Sequence, residues 1–351
     1  MKLILLVIIL RKADNMELSA KQKEIINSKY NRIAVRAAAA SGKTALLTEK
    51  VRSLLISGIE PSTIAVITYT RMAAANLIER LGDDYKDGIY IGTVHSLAAH
   101  FLSKYGKGGL ISRAAEDEDF DTLFLECQNL DLKGEFSWVL LDEGQDSSSH
   151  QLEFIFKLLE PENIFVVYDD RQCIFEEKNR LDDYIKSEKL YVYQMNENYR
   201  NCPSILKFAK TQLKGSSLTD DSIPKNNIPG MVWRDSYTFD LFATIPEDEY
   251  NNWAVLAPTN DDLKYLGKQL EQFHIPYATF RQGEITKAQL NKLMSENTVK
   301  LLTIHSAKGL EWDNVIVYDT THFMMRFAWY AAALRYVAAT RAKKRLYWLK
   351  K

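Results

Sequence analysis

Residues 32–55 read RIAVRAAAASGKTALLTEKVRSLL, and this stretch joins a β-branched run, a turn of small residues and an amphipathic pattern. In the amphipathic part, leucines and a valine recur on one helical face, and Gly58 and Pro61 mark its end. A strand, SGKT and a helix in this order predict a phosphate-binding turn, because the N–H groups at the start of the helix would face the anion. The alternative is an alanine-rich turn that ends in these letters by chance, so the rest of the chain must decide.

Pairs of strand-like and helix-like patterns recur along the chain. TIAVITYT precedes RMAAANLIERL, WVLLDE precedes HQLEFIFKLL, IFVVYDD follows, and a second set contains CPSILKFAKTQL, WAVLAPT, LKYLGKQLEQF, VKLLTIHS and NVIVYDT. Such alternation predicts an α/β fold with parallel sheets covered by helices, and 351 residues suffice for two domains. The stretch 214–252, rich in Ser, Asp, Asn and Pro, predicts a long connection.

The composition limits the classes of partner and location. With 46% hydrophobic and 26% charged residues, the chain has the composition of a globular protein. The formal net charge is -1, so a nucleic acid would have to be held by a local basic groove rather than by a globally basic protein. Three cysteines, Cys127, Cys173 and Cys202, lack metal-ligand spacing, which predicts reduced thiols and a cytoplasmic location.

Residues 1–15 begin with MKLILLVIIL, an apolar run that is too short to span a bilayer and is followed by no small-residue cleavage site. Two interpretations stay open, an N-terminal extension and a secretory signal. We favour the extension because Met16 opens ELSAKQKEII as a natural start would. No membrane partner is expected.

The stretch WVLLDEGQD places two carboxylates at the end of a strand that reads as buried. In a phosphate site, Lys43 would reach the outer phosphates and the Thr44 hydroxyl would bind Mg²⁺. Asp142 would hold the same Mg²⁺ through water, and Glu143 would orient and deprotonate the attacking water. Taken alone, Asp-Glu after a strand is more often a solvated strand end. Together with SGKT it favours a nucleotide site.

DEGQD and its flanking blocks resemble superfamily 1 helicases of the UvrD/Rep type. The blocks run in family order from about Leu18 to Leu349: LSAKQKEII, AAAASGKT, TYTRMAAANL, GTVHSL, LLDEGQD, VVYDDRQCIF, NENYR, TIHSAKGLEW and YVAATRAKKRL. The resemblance implies two RecA-like parallel-sheet domains, 16–195 with a short insertion at about 101–136, and 196–351, with the ATP site in the cleft between them. It also implies ATP and Mg²⁺ as cofactors, single-stranded DNA as partner, and a monomer.

The resemblance further implies how a nucleotide is bound. Gln22 would read the adenine edge, Tyr199 would stack on the ring and Glu311 would meet the ribose. The residues that would surround the phosphates are Ala39, Ala40, Ser41, Gly42, Lys43, Thr44 and Ala45.

Three more residues would act on the γ-phosphate by the same resemblance. Gln172 would sense it from the first domain, and Arg200 and Arg341 would approach it from the second. Two guanidiniums would neutralise the charge that builds on the transferring phosphoryl group. An isolated arginine is more often a surface or ion-paired residue, and the blocks NENYR and ATRA are what favour the catalytic role.

For the nucleic-acid strand, the resemblance points to side chains in four blocks. Hydroxyls suit phosphates, and rings suit stacking against unpaired bases. The two histidines could instead be hydrogen-bonded within the protein beside the core, and Phe175 could be a core aromatic. The candidates are Tyr69, Thr70, Thr93, His95, Phe175, Thr303, His305 and Ser306.

The chain departs from the family pattern at several positions. Ala38 and Ala40 replace glycines of the phosphate loop, so a working site is expected provided that both alanines keep a negative φ. Tyr168 stands where glycine is usual, and Arg171 stands where an acid is common. Glu177 occupies a position at which relatives often have a base-stacking tryptophan, which puts the grip on the strand in doubt.

The segment between NENYR and TIHSAKG is short, and the large helical insertion of relatives is missing from it. We therefore expect an ATP-driven translocase or helicase, with 3′ to 5′ polarity by resemblance, that needs a protein partner to unwind duplexes. Two other interpretations stay open. One is a nucleotide-dependent nucleic-acid-binding switch module that acts through a partner, and the other is a relative that no longer hydrolyses ATP.

Overall fold

The computed structural model describes residues 18–82, 87–117, 119–175, 180–236, 239–281, 285–320, 323 and 330–350. The extension at 1–15 and Glu177 lie outside them. The described residues form two compact units. The first unit is built from 18–37, 42–168 and 180–195, and the second from 38–41, 169–175 and the part after 195.

The first unit is a six-stranded parallel sheet covered by helices. Its strands are β1 (Arg32–Ala37), β2 (Ile64–Thr68), β3 (Tyr90–Thr93), β4 (Trp138–Leu141), β5 (Asn163–Tyr168) and β6 (Tyr191–Met195), in the spatial order β3-β2-β4-β5-β1-β6. Its helices are α1 (Ala20–Ile26), α2 (Lys43–Ile56), α3 (Arg71–Leu81), α4 (Val94–Lys104), α5 (Gly109–Glu116), α6 (Thr122–Cys127), α7 (Ser149–Glu153) and α8 (Leu181–Ser187). A π-helix (Phe154–Leu159) continues α7, and 3-10 turns lie at Pro61–Thr63 and Gly144–Asp146.

The central strands of this sheet are buried along their whole length. Every residue of β2, β4 and β5 is buried, as expected for parallel strands with helices on both faces. Alternate residues point to opposite faces, so Val139 and Leu141 join one apolar core while Trp138 and Leu140 join the other. Strand and helix patterns therefore predicted these elements correctly.

The second unit is also a six-stranded parallel sheet with helices. Its strands are β9 (Met231–Ser236), β10 (Trp253–Ala257), β11 (Tyr277–Ala278), β12 (Val299–Thr303), β13 (Trp312–Asp319) and β14 (Ala342–Lys350), in the order β11-β12-β10-β13-β14-β9, and a separate pair is β7 (Glu197–Asn198) with β8 (Ile223–Pro224). Its helices are α9 (Pro203–Gln212), α10 (Asn260–Gln272), α11 (Lys287–Ser295), α12 (Ile304–Ala307) and α13 (Ala331–Thr340), with 3-10 turns at Asp170–Gln172, Phe242–Thr244 and Glu247–Asn252.

The sequence pattern predicted that the stretch 214–252 is a long connection, but the structure shows that it is more than that. It contains β9, which pairs with β14 at the edge of the sheet. Trp233 of β9 is 50% exposed, and an edge strand of this kind lacks the continuous apolar run that identifies a buried strand.

The fold also bears on the expectations about thiols and membranes. All three cysteines are free, and the thiols of Cys127 and Cys202 are buried. Within the described ranges, no helix combines the length and the apolar character that crossing a bilayer requires.

The two α/β units match the predicted fold class of two RecA-like domains.

Candidate functional site

The SGKT turn leads into the N-terminus of α2. Gly42 is the N-cap of this helix and has a φ of +87°, a left-handed conformation that favours glycine. A Cβ at Gly42 would lie 2.7 Å from Nε2 of Gln22, so the end of the Gln22 side chain would have to move to admit one. The first turn of α2 carries no acidic residue. Its N–H groups therefore form a positive site for an anion, with Lys43 and Thr44 at its start.

The front half of the turn contradicts one expectation. Ala40 has a φ of +57°, so the prediction that both alanines keep a negative φ is wrong at this position, whereas Ala38 is not among the residues with positive φ. The left-handed conformation costs alanine about 1 kcal/mol. Two hydrogen bonds within the second unit hold the backbone there, from Asn198 Nδ2 to the Ala39 carbonyl (2.9 Å) and from the Tyr199 N–H to the Ala40 carbonyl (3.1 Å).

The acidic pair lies at the end of β4 in the first unit. Glu143 has a φ of +49°, and its Oε1 lies 3.4 Å from Nζ of Lys43. Gln145 Nε2 donates to the other carboxylate oxygen at 2.6 Å. A Cβ on Gly144 would lie 2.9 Å from Cγ1 of Val166, so the glycine lets the turn pack closely on β5. The structure thus brings the strand-end carboxylate to the lysine of the turn.

Asp142 is buried and is 6% exposed. Burial and the negative charge of Glu143 together raise the pKa of its carboxyl to about 7, and Lys43 offsets only part of the effect. A divalent cation would stabilise the ionised carboxyl, so Asp142 and the Thr44 hydroxyl are suitable ligands for Mg²⁺. Among the described residues, no group of three or more His, Cys, Asp or Glu side chains could hold a metal, and Mg²⁺ commonly keeps several waters and few protein ligands.

Gln172, which the sequence assigned to the first domain, meets Arg341 inside the second unit. Nη2 of Arg341 donates to Oε1 of Gln172 at 3.4 Å, and Nζ of Lys308 donates to the Gln172 backbone carbonyl at 2.6 Å. Arg341 is 1% exposed, and its Nε and Nη1 donate to the carbonyls of Val337 and Leu310. The guanidinium is therefore held in one orientation.

Arg200 lies in an ion-paired environment of the same unit. Its Nε pairs with Glu311, and Nζ of Lys343 lies 3.2 Å from the same carboxylate. Burial alone would raise the pKa of Glu311, but Arg200 and Lys343 hold it below the ordinary value. Tyr199 is 48% exposed next to Arg200 in the chain, so its ring is accessible for stacking.

Gln22 has a structural role that the sequence did not indicate. It forms a capping box with Ser19, because its Oε1 accepts from the Ser19 N–H at 2.9 Å and its N–H donates to the Ser19 hydroxyl. The side chain is 5% exposed. Its contact with an adenine stays a prediction.

The candidate hydroxyls for a nucleic-acid strand share one position in the fold. Thr70, Thr93 and Thr303 are the N-caps of α3, α4 and α12, and each helix follows a parallel strand. Ser306 donates its N–H to the Thr303 hydroxyl at 3.2 Å. Since parallel strands end at the same edge of their sheet, Thr70 and Thr93 mark that edge in the first unit, and Thr303 marks it in the second.

The candidate rings occupy two environments. In the first unit, Tyr69 is 37% exposed. The ring of His95 packs against the ring of Phe124, with 5.1 Å between the ring centroids, and burial lowers the pKa of His95. In the second unit, the ring centroids of Phe175 and His305 are 5.8 Å apart, and Nζ of Lys308 lies 5.2 Å from the centroid of the Phe175 ring. Burial lowers the pKa of His305 to about 4, so this ring is neutral at physiological pH.

Sequence comparison places these features in a known family. The UvrD/REP helicase N-terminal domain matches residues 18–123 and 117–179, and the UvrD-like helicase C-terminal domain matches residues 280–350. The chain belongs to the UvrD/REP helicase family.

Relatives with curated names are DNA helicases. DNA helicase II of Escherichia coli (strain K12) is 30% identical over 132 residues, which are 36% of this chain and 18% of that protein. A probable DNA helicase of Mycoplasma pneumoniae is 23% identical over 94% of this chain and 82% of its own length. A putative ATP-dependent DNA helicase of Acanthamoeba polyphaga mimivirus is 22% identical over 82% of this chain and 46% of its own length. The chain thus matches only a fraction of the length of DNA helicase II.

Residues 180–279 lie between the two family matches. This interval contains Asn198 and Asn201, which the sequence analysis missed. Asn198 Oδ1 accepts from the N–H groups of Arg200 and Asn201, and Asn201 Nδ2 donates to the carbonyls of Thr340 and Ala342. The buried Asn201 amide thus holds the backbone on either side of Arg341, and the buried Asn198 amide holds Asn201. Asn198 lies inside NENYR, which was the available signal.

Proposed function

We propose that this chain is an ATP-dependent translocase of the helicase type that moves along single-stranded DNA in the 3′ to 5′ direction. The observation that carries the proposal is the 3.4 Å approach of Lys43 Nζ to Glu143 Oε1 within the first unit. A chance alanine-rich turn would give no reason for a strand-end carboxylate at its lysine. The names of the relatives, which are DNA helicases, support the substrate class.

In the proposed site, Lys43 and the N-terminus of α2 bind the outer phosphates. Glu143 accepts a proton from the attacking water, and Gln145 holds one oxygen of that carboxylate in place. Asp142 and Thr44 are the proposed ligands of Mg²⁺, which when bound neutralises charge on the phosphates.

Gln172, Arg200 and Arg341 are proposed to act on the γ-phosphate. The two guanidiniums would neutralise the developing negative charge, as arginines do in other phosphoryl-transfer enzymes. The fixed orientation of Arg341 supports this role, because a charge that is already oriented needs no reorganisation during the reaction.

The N-cap positions and exposed rings are proposed to bind the DNA strand. Helix N-termini and their cap hydroxyls suit backbone phosphates, which supports roles for Thr70, Thr93 and Thr303. The exposed rings of Tyr69 and Phe175 suit stacking on unpaired bases.

ATP turnover of the purified chain should be measured without nucleic acid, with single-stranded DNA and with single-stranded RNA. We expect stimulation by DNA that disappears in Lys43→Ala. Displacement of streptavidin from the 3′ or the 5′ end of biotinylated DNA reports the direction, and faster displacement from the 5′ end is expected for 3′ to 5′ movement. DNA binding without stimulated turnover would instead support a nucleotide-dependent switch.

We also propose that unwinding requires a protein partner. Opening a duplex costs roughly 1.4 kcal/mol for each base-pair step, and an element of the protein must keep the separated strands apart. The insertion at 101–136, which could supply such an element, contains only short helices such as α5 and α6 among its described residues. Strand displacement on a tailed duplex, measured beside translocation on a single strand, tests this. Efficient unwinding of long duplexes by the chain alone would contradict the requirement for a partner.

A further inference from the structure

Arg171, which replaces an acid common in relatives, is among the largest fully buried side chains of the described residues. Its Nε donates to Oδ1 of Asp169 at 2.5 Å, and its Nη1 donates to Oδ1 of Asp220 at 2.7 Å. Burial alone would lower the pKa of Arg171, but the charges of Asp169 and Asp220, together with Tyr336, raise it above the ordinary value. The arginine is therefore charged and held by two carboxylates.

Asp220 comes from the interval between the two family matches, and no sequence motif indicated it. Its side chain is fully buried. Oδ1 also accepts from the Ser222 N–H at 2.9 Å, while Oδ2 accepts from the Ser222 hydroxyl at 2.9 Å and from the Tyr336 hydroxyl at 3.0 Å. Burial raises the pKa of Tyr336 well above its ordinary value, so the phenol stays protonated and remains a donor. Asp220 thus connects Arg171 to α13, the helix that ends at Thr340, next to Arg341.

Asp169 is shared between two donors. Its Oδ1 accepts from Arg171, while its Oδ2 accepts from Nε2 of Gln172 at 2.6 Å. The opposite end of the same amide, Oε1 of Gln172, accepts from Arg341. The orientation of the Gln172 amide therefore depends on Asp169 keeping one oxygen available for it.

A guanidinium beside a carboxylate favours a bidentate pair that occupies both oxygens. In this cluster Asp169 holds Nε of Arg171 and Asp220 holds Nη1, while Nη2, on the same side of the guanidinium as Nε, is buried without a hydrogen-bond partner among the described residues. Without the charge of Asp220, Nη1 would lose its partner, and the guanidinium would turn so that Nη2 pairs with Oδ2 of Asp169, the oxygen that Gln172 uses. The Gln172 amide would then have to compete with Nη2 for Oδ2, and its hydrogen bond would turn or lengthen.

We propose that Arg171, Asp220 and Tyr336 are positioning residues that keep the Gln172 amide directed at Arg341. The inference rests on the proposed ATP hydrolysis, in which Gln172 and Arg341 act on the γ-phosphate. All of these residues belong to the second unit. Misplacing a catalytic group by about 1 Å can lower turnover on the order of 10²-fold, so the loss should appear in kcat.

The test uses Asp220→Asn in the full chain, with Asp319→Asn as the matched control. Asp319 also forms a partly buried ion pair with α13, from Oδ1 to Nη2 of Arg335 at 3.0 Å, and its other oxygen accepts from Nε1 of Trp348 rather than from Gln172. The first measurement is the side-chain amide signal of Gln172 in ¹⁵N NMR spectra, assigned with Gln172→Glu. The second is kcat and KM for ATP in the presence of single-stranded DNA.

Asp220→Asn should shift or broaden the Gln172 amide signal and lower kcat on the order of 10²-fold, with a KM within about threefold of wild type. Asp319→Asn should do neither. Adding Arg171→Lys to Asp220→Asn should restore most of kcat and the amide signal, because an ammonium is a point charge and leaves the second oxygen of Asp169 to Gln172. A general loss of packing would not be rescued in this way.

An unchanged amide signal in Asp220→Asn, or equal changes in Asp319→Asn, would overturn the inference. A displaced signal with wild-type kcat would overturn the link to catalysis. If the wild-type chain does not hydrolyse ATP, the proposed function fails, while the amide signal still decides whether Asp220 positions Gln172. Should Asp220→Asn not fold, Tyr336→Phe removes one hydrogen bond to Asp220 and should move the same signal in the same direction by a smaller amount.

Discussion

Two buried charged groups, one in each unit, have neighbours of opposite kinds: Asp142 lies beside a like charge, and Arg171 lies between opposite charges. Asp142 is buried beside the like charge of Glu143, and its pKa is raised to about 7, so its ionised form is destabilised. Arg171 is buried between two opposite charges, and its pKa is raised as well, so its charge is stabilised. Neighbouring charges therefore destabilise the ionised form in the first cluster, around Asp142, and stabilise it in the second cluster, around Arg171.

The largest expected effect comes from removing Lys43, whose ammonium lies beside Glu143 in the first cluster. Lys43→Ala should lower ATP turnover on the order of 10³-fold or more, because Lys43 is the positive side chain nearest the proposed phosphates. The fold should stay intact by circular dichroism. Lys104→Ala is the control, since Lys104 forms an exposed pair with Glu135 at 2.8 Å in the same unit. Near-normal turnover in Lys43→Ala would refute the phosphate-loop assignment.

Removing either arginine tests whether the second unit contributes to hydrolysis. Arg200→Ala and Arg341→Ala should each lower kcat on the order of 10³-fold, the lower end for an arginine that stabilises phosphoryl transfer. Nucleotide affinity, measured by fluorescence titration, should change far less. Unchanged turnover in both variants would mean that the second unit only supports the fold.

Glu143→Gln separates binding from chemistry in the first cluster. The amide keeps the size of the side chain but cannot accept the proton from water, so turnover should fall at least about 10²-fold. ATP should still bind, as measured by equilibrium dialysis. A variant that no longer binds ATP would show that Glu143 has a structural role instead.

Stability measurements should distinguish the two clusters directly. Asp142→Asn should stabilise the nucleotide-free protein at pH 8 by at most about 4 kcal/mol, because a raised pKa means that stability is lost as pH rises from the ordinary value toward 7. Arg171→Met should destabilise it by about 3–5 kcal/mol, because two buried carboxylates lose their partner. Chemical denaturation with a chelator present measures both. Changes of the same sign would remove the distinction between the clusters.

His305 should give the smallest effect, a change of stability with pH. Burial lowers its pKa from 6.5 to about 4, so the stability due to neutral His305 is present above pH 6.5 and is lost as pH falls toward 4. The loss should reach at most about 3 kcal/mol. His305→Asn should show a flatter pH dependence than wild type in thermal unfolding between pH 7 and pH 4.5. Identical slopes would show that the ring is accessible to protons in the folded state.

Local patterns predicted the buried elements well. The run RIAVRA coincides with β1 (Arg32–Ala37), and the pattern after SGKT coincides with α2. A strand covered on both faces must be apolar throughout, and an amphipathic helix must repeat its apolar residues, so both leave a clear pattern in the sequence. The edge strand β9 was missed because it pairs with one neighbour only and exposes Trp233.

By itself, the sequence determined the family and the α/β class and predicted the residues that bind phosphates, because these depend on residue types at short spacings. Only the tertiary structure decided which distant groups meet. Lys43 approaches Glu143, and Arg171 pairs with Asp220 across 49 positions of chain. The tertiary structure also decided that Ala40 adopts a left-handed backbone conformation, because the N–H group that holds the Ala40 carbonyl belongs to the distant residue Tyr199. Contacts between remote segments depend on how the sheets assemble, and no local pattern of residues records them.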